Sequence, residues 1–483
     1  MRKILGETMS DVINSGATPA PDSANPASSD TQTSHGLSSS YVRYALWMLL
    51  IIYILNFLDR SIVSILAEEI RTELMLDDWQ IGIMTGLAFA LFYTILGIPI
   101  ARLADRGDRV KIISISLAVW SGFTALCGLA TNFVQMLLGR IGVGVGEAGC
   151  TPAAHSLISD YVPADRRARA IAFYGLGVPV GSLMGAVLGG VIADIWGWRT
   201  AFLVAGLPGV GLALIAWFTL KEPRRTLGFP VAPAGGHASA WSTLKTLLGS
   251  PAYVFVTLGA AAAAFVSYGQ GAFTPAFFQR LHGMSPGEVG VWLGISSGVG
   301  GLIGTWLGGY FADKFGAKDP GAFLFVPAIG MAIASVSFTP GYLASSWQAA
   351  LVLIWIPGVL NSLWYGPAFA TVQRVVPPSQ RAMAAAITLF VVNLVGLGLG
   401  PIFAGILSDT LRNMMFDGSG LGISQFAQAC GKAAATTADA ACVVARQEGL
   451  RWSLIVACHL GLISALMFWL GGRALRKPLL STT

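Results

Sequence analysis

The chain has 483 residues, 54% apolar and only 11% charged, with 59 glycines and a formal net charge of +6. A soluble protein of this size would carry about 25% charged residues, so the composition excludes an ordinary soluble enzyme and points to a polytopic membrane protein. The basic excess is accounted for by loop charge and implies no nucleic-acid partner.

Residues 1–40 are rich in Pro, Ser, Thr and Ala, as in "GATPAPDSANPASSDTQTSHG". Such a segment cannot bury enough apolar surface to offset the entropy of ordering, and it reads as a disordered cytoplasmic tail. Apolar runs close to the roughly 20 residues a bilayer-crossing helix needs then recur. Twelve spans are predicted, near 41–66, 79–101, 110–130, 133–156, 168–193, 198–220, 252–278, 286–312, 321–339, 347–372, 380–407 and 450–472. The hydrophilic stretch 221–250 divides six from six. The expected domains are a bundle over 41–220, a cytoplasmic linker over 221–250, a second bundle over 251–472 with an outward loop at 408–449, and a cytoplasmic tail over 473–483. An all-α protein of two related six-helix bundles is a transporter layout.

Charge sets the orientation. The tails and the loops after even-numbered spans hold 21 Lys or Arg, against 7 on the other side. That bias places both termini in the cytoplasm, with the plasma (inner) membrane as the expected location. The five cysteines are not spaced like a metal site. Cys430 and Cys442 bracket "GKAAATTADAA" in the last outward loop. An oxidising exterior would join them in a disulfide; two free thiols in an Ala-rich surface helix is the alternative.

Charges inside spans demand a partner or a function, because an unpaired charge in lipid costs several kcal/mol. Span 1 contains Asp59 and Arg60 in "NFLDRSIVSIL", and span 4 contains Arg140 and Glu147 in "LLGRIGVGVGEAG". Asp59 and Arg140 are expected about two turns below the outer end. Glu147 lies two turns further along the same face, about 10 Å deeper. The four charges sum to zero. Asp59 and Glu147 are candidates for proton coupling, Arg60 and Arg140 for binding an anionic substrate. A static ion-pair brace is the alternative. The second half offers neutral groups instead: Tyr268 and Gln270 in "FVSYGQGAFTPAFF", Asn361 and Tyr365 in "WIPGVLNSLWYGPAF", and Asn393 in span 11. A cavity with an arginine on one wall and aromatics on the other suits an anionic head with an apolar tail.

Two inner loops repeat. "ARLADRGDRVK" ends span 2 and "GYFADKFGAKD" ends span 8, matching Asp105 with Asp313 and Arg106 with Lys314. These loops are similar to the conserved loop motifs of the major facilitator superfamily, and that resemblance implies that Asp105, Arg106, Arg109, Asp313 and Lys314 are gate residues, the aspartate meeting the terminus of a facing helix, where a carboxylate gains from unpaired N–H groups; plain basic loops are the alternative. In span 5, "GLGVPVGSLMGAVLGG" sets Gly177, Gly181, Gly185 and Gly189 on one smooth face suited to a close helix neighbour.

The resemblance to the major facilitator superfamily runs over residues 41 to 472. Asn56, Asp59 and Arg60, then Arg140, Gly144, Glu147 and Ala148, then Pro179 and Gly181 resemble its Spinster subgroup. The first loop departs from the family pattern, with Ala101 for its leading glycine and Asp108 where glycine is usual. The resemblance implies a fold of twelve helices in two bundles and transport of sphingoid phosphates or lysophospholipids by alternating access. The expected function is a secondary transporter, coupled to protons, for an anionic amphiphile. A drug exporter, a sugar-acid or organic-anion transporter, and a non-transporting receptor or scaffold are the alternatives. No enzyme activity and no cofactor beyond protons is expected. The expected partners are membrane lipids and the substrate, with the protein a monomer. "GVGVGEAG" lies inside a span and is no dinucleotide loop, and no "GxxxxGK[ST]" phosphate loop occurs.

Overall fold

The computed structural model describes residues 37–226, 240–377, 380–416, 426, 430 and 440–476; the side chains of Asp105, residues 240–243 and Ala382 also fall outside the description. The two expected tails and much of the 408–449 loop are thus largely beyond it. The described residues form helices. Ten runs are long and apolar enough to cross a membrane. One of them, 164–225, carries two spans. Span 4 adds the twelfth crossing as two shorter helices, Phe133–Glu147 and Cys150–Tyr161.

The helix ends follow from local chemistry. Ser38, Asn132, Ser250 and Ser346 begin spans 1, 4, 7 and 10 by accepting a backbone N–H three residues on. Span 1 runs over Ser39–Ile65. Spans 2 and 8 begin with capping boxes, Asp77 with Gln80 and Ser285 with Glu288. Gly197, at φ 80°, supplies the left-handed turn between spans 5 and 6. Span 7, Pro251–His282, ends on Gly283 at φ 65°.

The glycine stripe of span 5 packs on span 1. A Cβ added at Gly181 or Gly185 would stand 2.4 Å from the carbonyl oxygen of Ile54 or Leu58. Close backbone approach is what small residues permit in a membrane, and here it fixes the part of span 1 that carries Asp59 and Arg60. Spans 2 and 11 cross where each turns π-helical, at Ile83–Leu87 and Asn393–Leu399; a Cβ on Gly86 would stand 2.8 Å from the Leu397 carbonyl oxygen. Span 12 begins at Ala440, earlier than its hydropathy suggests. The 221–250 stretch contains a helix, Ala240–Leu248, that packs against span 7.

Candidate functional site

The two halves meet on the face opposite the chain ends, called here the far face; residues 39 and 476 mark the terminal face. Arg280 of span 7 donates to both oxygens of Asp78, at 2.8 and 2.6 Å, and to Glu68. Gln279 donates to the Ile65 carbonyl at 2.9 Å. Two further contacts form a repeat. Asp194, ending span 5, accepts from the Gly287 N–H at 3.0 Å and the Ser285 hydroxyl at 2.7 Å, at the start of span 8. Asp409, ending span 11, accepts from the Asp78 and Trp79 N–H groups at 3.2 and 2.8 Å, at the start of span 2. Gly190 lies four residues before Asp194 and Gly405 four before Asp409. A Cβ on either would stand 2.2 or 2.3 Å from the carbonyl oxygen of Pro286 or Asp78. The sequences "GVIAD" and "GILSD" thus build the same latch twice: a glycine that lets helices touch and a carboxylate that satisfies a helix N-terminus.

Toward the terminal face the halves part. Gly290 and Gly294 of span 8 still touch span 5, but a Cβ on Gly298, Gly301 or Gly309 would meet nothing within 4 Å. Asp313 and Lys314 are exposed there, as is Arg106; Lys314 lies 5.6 Å from the Tyr310 ring. Asp105 sits on the last turn of its helix, its side chain outside the description. Arg109, grouped with these by sequence, points elsewhere. It is fully buried within the first half, bonded to Glu222, Asp160 and Ser156, and so braces one bundle.

Between the halves lies a cavity of about 470 Å³. Arg60 and Arg140 line its first-half wall together with Phe57 and Phe89. Arg60 donates to Glu147 Oε2 through Nε at 2.7 Å and Nη2 at 2.6 Å. Its guanidinium stands 4.7–4.9 Å from the ring centres of Phe57, Phe89 and Tyr93, a setting that favours a partly desolvated cation. Glu147 is fully buried and its Oε1 has no bonded partner among the described residues. Asp59 turns away from the cavity: Thr124 donates to its Oδ1 at 2.7 Å, and Arg140 reaches its Oδ2 at a longer 3.4 Å. Arg60 is the more open arginine, its side chain 18% exposed against 2% for Arg140.

On the second-half wall are Tyr268, Gln270 and Asn361, with Ser267, Thr274 and Tyr342, which the sequence did not single out. Gln270 bonds Cys458 at 2.6 Å and Tyr342 at 3.4 Å. Tyr365 and Asn393 do not line the cavity; Tyr365 is 52% exposed and packs on Trp364 and Phe369. Span 4 breaks after Glu147 and span 10 after Asn361, before the helix Tyr365–Arg374. Interrupted helices facing a central cavity are how many transporters present binding groups. Cys430 and Cys442 are joined in a disulfide.

Residues 49–401 match the Major Facilitator Superfamily model. An MFS-type efflux pump of Mycolicibacterium smegmatis is 31% identical over 90% of this chain and 94% of its own length. Human protein spinster homolog 1 is 28% identical over 78% of this chain and 75% of its own. A bacterial homologue of the human lysosomal transporter Spinster, solved in an inward-facing and unoccupied conformation, superimposes with a TM-score of 0.82 at 34% identity, covering 91% of this chain and 98% of that one. The chain belongs to the major facilitator superfamily. It is an integral membrane transporter of Spinster-like type and not an enzyme.

Proposed function

We propose that this protein is a proton-driven secondary transporter of an anionic amphiphile, such as a lysolipid or sphingoid phosphate, in the plasma membrane with both termini in the cytoplasm. The observation that carries the reading is the Arg60–Glu147 pair. Arg60 is the cation offered to the cavity, and its partner is a buried carboxylate with one oxygen free. A proton taken up by Glu147 ends its claim on Arg60 and leaves the guanidinium to a substrate anion. Release of the proton restores the pair and expels the anion. Asp59, held by Thr124, is the second candidate coupling carboxylate, and through its contact with Arg140 it keeps that arginine beside the site. Aromatic and aliphatic walls take the tail. The far-face latch and the likeness to an inward-facing homologue support a state open to the cytoplasm.

Arg60→Gln tests the substrate class. Calorimetry with 1-oleoyl lysophosphatidate and with neutral monooleoylglycerol should show the anion weakened tenfold or more and the neutral lipid little changed, since charge-assisted contacts in a secluded site are worth about 1.5–3 kcal/mol. Equal weakening of both would make Arg60 structural. The relationship to an efflux pump favours a second reading, export of amphiphilic drugs. Tight binding of cationic or neutral drugs with no binding of lysophosphatidate would select it.

A further inference from the structure

The cavity wall opposite Arg60 carries a buried hydrogen-bond acceptor. Asn361 lines the cavity at 8% exposure, where span 10 breaks. Its Nδ2 donates to the Ser267 hydroxyl oxygen at 2.8 Å. Ser267 in turn donates to the Ala263 carbonyl at 2.9 Å. A serine hydroxyl has one hydrogen, and Ala263 takes it, so Ser267 is left only to accept. That fixes the amide: nitrogen toward Ser267, oxygen away. Oδ1 then has no bonded partner among the described residues. A buried acceptor left unpaired costs free energy that a ligand recovers by bonding to it.

The position gives this acceptor a meaning. Glu147 and Asn361 occupy corresponding places, each the last residue of the first helix of a broken span, in the fourth helix of its own half. A proline follows each break, Pro152 in one half and Pro367 in the other. One half therefore presents a carboxylate bound to Arg60, and the other a neutral amide whose oxygen is free. Arg60 has only donors to offer, and Asn361 Oδ1 can only accept.

We infer that Asn361 Oδ1 is a specificity subsite for a hydrogen-bond donor on the substrate, so that the transported molecule carries an anionic group for Arg60 and, apart from it, a hydroxyl or ammonium. This rests on the anion reading above and narrows it: an anionic amphiphile without a donor is a poor substrate. Ser267 is a positioning residue: by holding the amide nitrogen it fixes which way the oxygen points.

The full-length protein in nanodiscs is titrated with three probes sharing one oleoyl tail. These are lysophosphatidate, its deoxy analogue without the glycerol hydroxyl, and deoxy-lysophosphatidylethanolamine, which has an ammonium but no hydroxyl. The native protein should bind one or both donor-bearing probes about tenfold more tightly than deoxy-lysophosphatidate, and which of them it prefers identifies the donor. Asn361→Leu, close in size, should abolish the preference, the affinities of the three probes converging. Ser267→Ala frees the amide to rotate and should lower the preference severalfold, which covers the case in which the leucine variant fails to fold. Equal binding of all three probes by the native protein overturns the inference and leaves the anion reading standing. So does a preference that survives both substitutions. Binding of none of the three, with Arg60→Gln also without effect, removes both.

Discussion

Asp59 and Arg60 are neighbours in the chain, yet they serve different surroundings, because consecutive helical residues point about 100° apart. The depth and company of these charges are legible in the sequence. It did not tell which would face the cavity, since that depends on how span 5 seats span 1 through Gly181 and Gly185. Arg280, near the end of span 7, has no local motif that marks it. Its partners, Glu68 and Asp78, lie about two hundred residues away in sequence and come together only in the fold. A pH dependence follows for Glu68. Burial pushes its carboxyl up, but Arg280 and Arg71 outweigh burial and hold it below the ordinary value. A carboxylate depressed in the closed face contributes closure that is fully present above its ordinary value, about 4.3, and is lost as pH falls through the depressed one. Labelling of a far-face cysteine should therefore show no difference in pH profile between native protein and Glu68→Gln from pH 8 to about 5, apart from a constant offset. A native step in that window that Glu68→Gln removes would contradict the assignment.

At the scale of elements, apolar length alone placed the spans but not their breaks. Hydropathy passes over them, but a local signal was present: Pro152 and Pro367 have no N–H to give the carbonyls of Ala148 and Leu363, where the two spans break. The repeat that matters on the far face, "GVIAD" with "GILSD", is short and apolar but for its carboxylate, and so stands out less than the longer basic loops. The latch predicts a measurable symmetry. Each carboxylate at a helix N-terminus is worth about 1 kcal/mol, so Asp194→Asn and Asp409→Asn should each shift the opening equilibrium of the far face about fivefold, and the double variant about 25-fold, since distant sites add. Spin-label distances across the far face, taken for all three variants, check this. Native distance distributions in the double variant would show that the carboxylates do not hold the face shut.

For the whole molecule, the structure is one pole of a cycle: far face latched, terminal face parted, cavity between. Asp313 and Lys314 are exposed on that parted face. Function in such a molecule is a coupling between the site and this two-state motion, and the central claim is that the proton enters at Glu147. Native protein and Glu147→Gln are reconstituted in liposomes with an internal pH reporter, and a pH gradient is imposed in the presence of labelled lysophosphatidate. Native protein should accumulate substrate with proton flux, while Glu147→Gln should still bind and exchange substrate but neither accumulate it nor move protons. Full gradient-driven accumulation with unchanged proton flux in Glu147→Gln would contradict that claim.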